Sequence, residues 1–205
     1  MQEGAVGNGG TITVNTENLR LQDGAQINAR SRGGGDAGNI TISAKDTEII
    51  EKSPNGIWLS GLTAEATDEG TGAGGTLIIN AENFNIRDEA EITVSSQTQE
   101  PAGNLEINSN NILIENQASL NAKTTGGQGS ITIKNNKDFI LRHNSNISTN
   151  ATGEATGGKI NINTENLVAL ENSDISANAQ AAFGGTINIT AAGIFGTEFP
   201  FRGRL

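Results

Sequence analysis

Few side chains in this sequence are of types that perform chemistry. His143 is the only histidine, Trp58 the only tryptophan, and cysteine is absent. Without Cys there is neither a disulfide framework nor a thiolate-ligated metal site. His143 lies among Asn144, Ser145 and Asn146, a turn-like run without further metal ligands, so an exposed turn residue is expected there. Sugar-chain cleavage needs two carboxylates several Å apart, which makes the placement of Glu106 and Asp174 informative. Gly33-Gly34-Gly35-Asp36 has the letters of a calcium-binding repeat, but that repeat must recur on successive turns. It occurs here once, and a solvated loop is expected. Trp58 could stack on a sugar ring as exposed aromatics do; the expectation is instead that it folds back over the flank of the fold.

What positions these residues is a repeat. Gly10, Gly38, Gly75, Gly103, Gly129, Gly158 and Gly185 each precede a polar–apolar–polar–apolar stretch. The apolar pairs are Ile12/Val14, Ile40/Ile42, Leu77/Ile79, Leu105/Ile107, Ile131/Ile133, Ile160/Ile162 and Ile187/Ile189. Alternation of period two marks a strand. A second strand follows in most units as Leu19-x-Leu21, Phe84-x-Ile86 and Ile112-x-Ile114, shifted by one at Phe139-Ile140-Leu141 and blurred at Leu167-Val168-Ala169-Leu170. A third reads Ile27-x-Ala29, Ile92-x-Val94, Leu120-x-Ala122, Ile147-x-Thr149 and Ile175-x-Ala177.

Turn chemistry separates the strands. Asn15-Thr16-Glu17-Asn18, Asn80-Ala81-Glu82-Asn83 and Asn163-Thr164-Glu165-Asn166 form the first corner, where Asn would tolerate the left-handed conformation. Asp23-Gly24-Ala25, Asp88-Glu89-Ala90 and Asn116-Gln117-Ala118 form the second. The third is Gly-rich, at 33–38, 70–75 and 126–129, with positive φ and close backbone stacking expected.

Three short strands cannot bury an apolar face alone, but stacked units can. The predicted fold is therefore all-β: a right-handed parallel β-helix, a solenoid of about 26–29 residues per coil with three short strands each. One domain over 1–205 would hold roughly seven coils, with an insertion at about 53–61 and a tail, 193–205, reading as a truncated next coil. At about 4.8 Å between paired strands the stack would span roughly 30 Å. Since the first unit starts almost at Met1 and no complete unit follows Ile189, the chain is expected to be a segment whose ends meet neighbours.

On this map the outward first-strand residues run Thr11/Thr13, Asn39/Thr41, Thr76/Ile78, Asn104/Glu106, Ser130/Thr132, Lys159/Asn161 and Thr186/Asn188. Only Glu106 among them is acidic. The outward third-strand residues include Glu91 and Asp174 but place no carboxylates in a stack. Thr11-x-Thr13 does not continue as the ladder an ice-binding face would need. No catalytic, cofactor-binding or metal-binding residue is expected, and no cofactor.

Bulk properties agree with a thin core repeated many times. Apolar residues make up 34%, aromatics 3%, and there are 27 Gly, too few large side chains for one thick core. Strict alternation of Ile, Leu and Val argues against the disorder that such a composition otherwise suggests. A net charge of −10 excludes nucleic-acid binding through clustered Lys and Arg and disfavours anionic membranes. No apolar run reaches a membrane span. Met1-Gln2-Glu3-Gly4 lacks the features of a signal peptide, so any export signal is expected outside this chain.

The recurring Gly-x-Ile-x-Ile, the Asp23-Gly24-Ala25-Gln26-Ile27 corner, the insertion Ser53 to Ala64 and the ending Gly193-Ile194-Phe195-Gly196 together resemble filamentous-haemagglutinin-like exoproteins, especially cyanobacterial ones. The resemblance covers nearly the whole chain. It implies a passenger of two-partner secretion, secreted or on the outer cell surface, with an outer-membrane transporter as partner of the full-length protein. The expected function is that of a structural or adhesive repeat segment without catalysis, a rigid stalk or binding surface. Extracellular glycans or cell-surface proteins are its expected partners. The alternative is a fragment of a β-helical carbohydrate-active enzyme or a carbohydrate-binding module.

Overall fold

The computed structural model describes residues 6–67 and 70–196. Every element among them is a strand. Coil one holds β1 (Thr11–Leu21) and β2 (Gln26–Asn28), coil two β3 (Asn39–Ile50) and β4 (Gly61–Thr63), coil three β5 (Thr76–Arg87) and β6 (Glu91–Thr93). Coil four holds β7 (Asn104–Glu115) and β8 (Ser119–Asn121), and coil five β9 (Ser130–Asn135), β10 (Asp138–Leu141) and β11 (Asn146–Ser148). Coil six holds β12 (Lys159–Ala169) and β13 (Asp174–Ser176), and coil seven β14 (Thr186–Phe195). All pairing between named strands is parallel and joins each coil to the next, β1-β3-β5-β7-β9/β10-β12-β14 in one sheet and β2-β4-β6-β8-β11-β13 in the other. The chain is a parallel β-solenoid of about seven turns.

The columns follow the expected register. Ile40, Leu77, Leu105, Ile131 and Ile160 pair in sequence, as do Ile42, Ile79, Ile107, Ile133 and Ile162, and all are buried. Burying each such side chain contributes about 1.5–3 kcal/mol, and each coil supplies several. Between these residues the carboxamide and hydroxyl side chains stay at the surface.

The division into strands differs from the reading of the sequence. The first two strands of each coil run together as one ladder-bonded strand, except in coil five. Within that strand the inward positions change parity, from Leu77/Ile79 to Phe84/Ile86, so the strand bends at Asn80–Asn83 without leaving the ladder. Coil five has one additional residue between Ile133 and Phe139, and there the strand divides into β9 and β10. The buried Asn135 fills the gap: its Oδ1 accepts from Lys137 N–H (3.1 Å) and Thr164 Oγ1 (2.7 Å).

The left-handed residues are not at the Asn corner, and among the described residues of the Gly-rich turns only Gly153 (φ 61°) is one. Most pair up at the second corner, as Asp23/Gly24, Asp88/Glu89, Asn116/Gln117, His143/Asn144 and Glu171/Asn172, all with φ between 54° and 82°; Glu51, Gly56 and Gly196 are the others. Ala25 N–H donates to Gln22 O, Ala90 N–H to Arg87 O and Ala118 N–H to Glu115 O, so these second corners are type I′ turns. Non-Gly residues hold this conformation because neighbouring coils bond it in place. Glu89 N–H donates to Asn116 O (2.8 Å), Gln117 N–H to His143 O (2.9 Å) and Asn144 N–H to Glu171 O (2.9 Å). The first-corner Asn residues instead form carboxamide ladders, Asn108 Nδ2 to Asn80 Oδ1 (2.9 Å) and Asn111 Nδ2 to Asn83 Oδ1 (2.8 Å).

The repeated glycine answers to close approach. A Cβ on Gly103 would lie 1.9 Å from Gly75 O, and one on Gly75 would lie 2.0 Å from Gly38 O. Each of these glycines donates its N–H across its own turn, Gly103 to Val94 O (2.6 Å) and Gly75 to Ala64 O (2.9 Å). Its carbonyl faces the next coil, so two backbones meet where any side chain would stand.

Coil two departs most from the pattern. Its second strand is Thr47 and Ile49, and its third is Leu62 with Ala64, in register with Ile27 and Ile92. Gly61 thus belongs to the coil, and the insertion is a small hairpin in which Lys52 pairs antiparallel with Leu59. At the other end, Gly193, Ile194 and Phe195 pair with Asn166, Leu167 and Val168, so they complete coil seven and do not start another. The part of the expected tail from 197 onward lies outside the described residues. In coil six Leu167 and Ala169 face inward while Leu170 is exposed.

Thr47 stands in an apolar column between Leu19 and Phe84. It is buried, and its hydroxyl has no hydrogen-bond partner. An unmatched buried hydroxyl costs about 1–3 kcal/mol. Thr47→Val keeps the β-branched shape and is expected to raise stability by about 1 kcal/mol, measurable as a higher urea midpoint. A lower midpoint would mean that the hydroxyl is bonded.

Candidate functional site

The residues singled out by type do not converge. Glu106 projects from β7, and Lys134 of the next coil donates to it at 2.6 Å. That hydrogen bond holds the Glu106 carboxyl below its ordinary range, so it stays an ionised partner in an exposed pair. Asp174 starts β13 in the other sheet and is exposed. His143 occupies a left-handed corner position, half-exposed, with Nε2 2.9 Å from Glu171 Oε2 and 3.2 Å from Arg142 Nη2. Asp36 uses its Oδ1 to accept from Ala73 N–H (2.8 Å) in the following coil. Among the described residues no group of three His, Cys, Asp or Glu side chains could hold a metal ion.

Trp58 does not cover the flank. It is 58% exposed and its neighbour Ile57 65%, because the hairpin carries them away from the coil.

A site that the sequence reading missed lies outside the second sheet. Residues of the short strands and of the segments that follow them line a groove of about 330 Å³ running along the axis, among them Arg30, Glu65, Glu91, Gln97, Asn121 and Lys123. Strand alternation places them: Leu62 and Ala64 point inward, so Glu65 emerges where the chain leaves β4. Arg30 Nη2 meets Glu65 Oε2 at 3.2 Å, and Gln97 Nε2 donates to Glu65 Oε1 at 3.1 Å. Asn121, only 4% exposed, donates through Nδ2 to Glu91 Oε1 and Ser119 Oγ, while its buried Oδ1 has no hydrogen-bond partner. Thr93, Thr124, Thr125 and Thr152 add hydroxyls along the groove.

Glu65 and Glu91 thus line one groove from adjacent coils, although they do not face each other in the ladder, where Glu91 pairs with Gly61. Burial pushes the Glu65 carboxyl above its ordinary value, with Glu91 adding repulsion against the opposing pull of Arg30. A raised value means that the folded state holds this proton more tightly than the unfolded chain does, so stability falls as pH rises through the folded value. The chain is therefore expected to gain stability relative to Glu65→Gln as pH falls from 7 towards Glu65's ordinary range. Paired urea midpoints across that range check the sign; a gain shared equally by the variant would place the effect elsewhere.

Chemically, the groove offers hydroxyls, carboxamides, two carboxylates and two cations to a long polar ligand, with one carboxyl biased towards holding a proton. Compared with known proteins, the chain matches no family model, no curated protein and no solved structure.

Proposed function

We propose that this chain is a structural and adhesive segment of a large exported exoprotein, a stiff stalk that presents binding surfaces at a cell exterior. The observation that carries this reading is the unbroken parallel ladder through all seven coils, closed around one apolar core. Such a rod separates its two ends by a fixed length. The resemblance to filamentous-haemagglutinin-like passengers supports export to the cell surface, with an outer-membrane transporter serving the full-length protein. The long polar groove supports extracellular glycans as partners, since sugar hydroxyls pair with Asn, Gln, Thr and carboxylate groups.

The Glu65–Glu91 pair favours a second reading, a fragment of a carbohydrate-active enzyme. One experiment separates them. Beads coated with the chain, exposed to immobilised polysaccharides, are expected to be retained by at least one without release of soluble sugar. Absence of retention on every surface would overturn the adhesive reading. Turnover of pectin or alginate that is abolished by Glu65→Gln would establish the enzymatic one.

A further inference from the structure

The insertion in coil two presents a surface that the repeat does not need. Among the described residues of coils two to five, Ile57 and Trp58 are the exposed large hydrophobic side chains. Their hairpin is rigidly held. Ser53 N–H donates to Trp58 O (2.7 Å), Trp58 N–H to Ser53 Oγ (2.9 Å), Gly56 N–H to Ser53 O (2.7 Å) and Ile57 N–H to Asn55 Oδ1 (3.1 Å). Lys52 ties its base to Glu89 at 2.7 Å, one coil away. The backbone is therefore set before any partner arrives, which lowers the ordering cost of binding. An exposed Trp on a preorganised frame is the usual centre of a binding hot spot.

Charge selects the partner. The outgoing arm of the hairpin forms one wall of a groove of about 530 Å³ lined by Asp23, Glu51, Asp88 and Glu89, with Lys52 as its cation. Lys52 is already paired with Glu89, and Asp88 with Arg87. Among the described residues neither Asp23 nor Glu51 forms an ion pair, which leaves two carboxylates in the groove walled by the same hairpin that carries Ile57 and Trp58. A guanidinium can lie over the indole face and reach carboxylates through its fork of donors, while aliphatic side chains pack on Ile57.

We propose that the Lys52–Leu59 hairpin and its acidic flank form a docking surface for a basic, apolar segment of a partner protein. This surface is separate from the Glu65 groove and does not depend on the adhesive reading.

Because Trp58 is the only tryptophan, its emission reports the site directly. The whole chain is titrated with an eight-residue peptide of alternating Arg and Leu, and binding is followed also by anisotropy of the labelled peptide. A saturable change in emission is expected, weakened about tenfold or more by Trp58→Ala and by Asp23→Asn combined with Glu51→Gln. Both variants alter only exposed side chains, so their circular dichroism and melting should match the parent. Binding should also weaken as salt rises. Absence of saturation, equal binding of an alternating Asp and Leu peptide, or unchanged binding by folded variants would overturn the proposal. So would an emission change produced only by a neutral oligosaccharide, which would make Trp58 a sugar platform.

Discussion

Gly103→Ala is expected to cost the solenoid about 3 kcal/mol or more, the upper range for forcing one methyl into a filled site. The new Cβ would lie 1.9 Å from Gly75 O and 2.9 Å from Gly75 C. Both are backbone atoms, so no side chain can swing aside. Nor can the carbonyl move freely, because it accepts from Asn104 N–H at 3.1 Å. Relief requires coils three and four to separate where their ladder is continuous. The same substitution at Gly10, the matching repeat position of coil one, meets nothing within 4 Å and should change stability by less than about 0.5 kcal/mol. Urea unfolding of both variants checks the contrast. Equal losses would show that the glycines serve conformational freedom and not close approach.

Ile133→Asp should be comparably damaging. Ile133 is fully buried, with Ile107 and Ile162 above and below it. A carboxylate there loses its hydration with no partner, and removing the isoleucine forfeits its own burial; together these cost about 4 kcal/mol or more. The adjacent Thr132 lies on the outer face, half-exposed, next to Glu106 and Asn161. Thr132→Asp meets one like charge at the surface and should cost under about 1 kcal/mol. Comparable melting losses at the two positions would contradict the inward–outward register.

The first-strand columns were legible because two independent signals coincide there, an apolar alternation and a glycine at a fixed offset. The third strand was legible wherever a large aliphatic residue leads it, as Ile92 and Leu120 do. In coil two both signals fail. Thr47 replaces an aliphatic residue in its column, and the hairpin displaces Leu62 from its usual distance. With that strand unread, Glu65 had no place on the outer face, so its proximity to Glu91 could not be seen. The left-handed corners were hidden for another reason. Their positions were read as turns, but not their conformation: Glu89 and Gln117 are not residue types that favour positive φ, and hydrogen bonds between adjacent coils hold it. Trp58 follows the same logic in reverse: its bulk suggested burial, but Ser53, Asn55 and Gly56 close a hairpin that points it into solvent.

A stiff, coil-on-coil rod holds its first and last coils at a fixed distance. Thr13 and Asn188 occupy the same outward column, joined through Thr41, Ile78, Glu106, Thr132 and Asn161. The chain has no cysteine, so Thr13→Cys with Asn188→Cys permits selective spin labelling. Pulsed dipolar spectroscopy should give a single narrow distribution with a backbone separation of roughly 30 Å, the sum of six strand spacings. A broad distribution, or one centred far from that length, would contradict a rigid stack of seven coils.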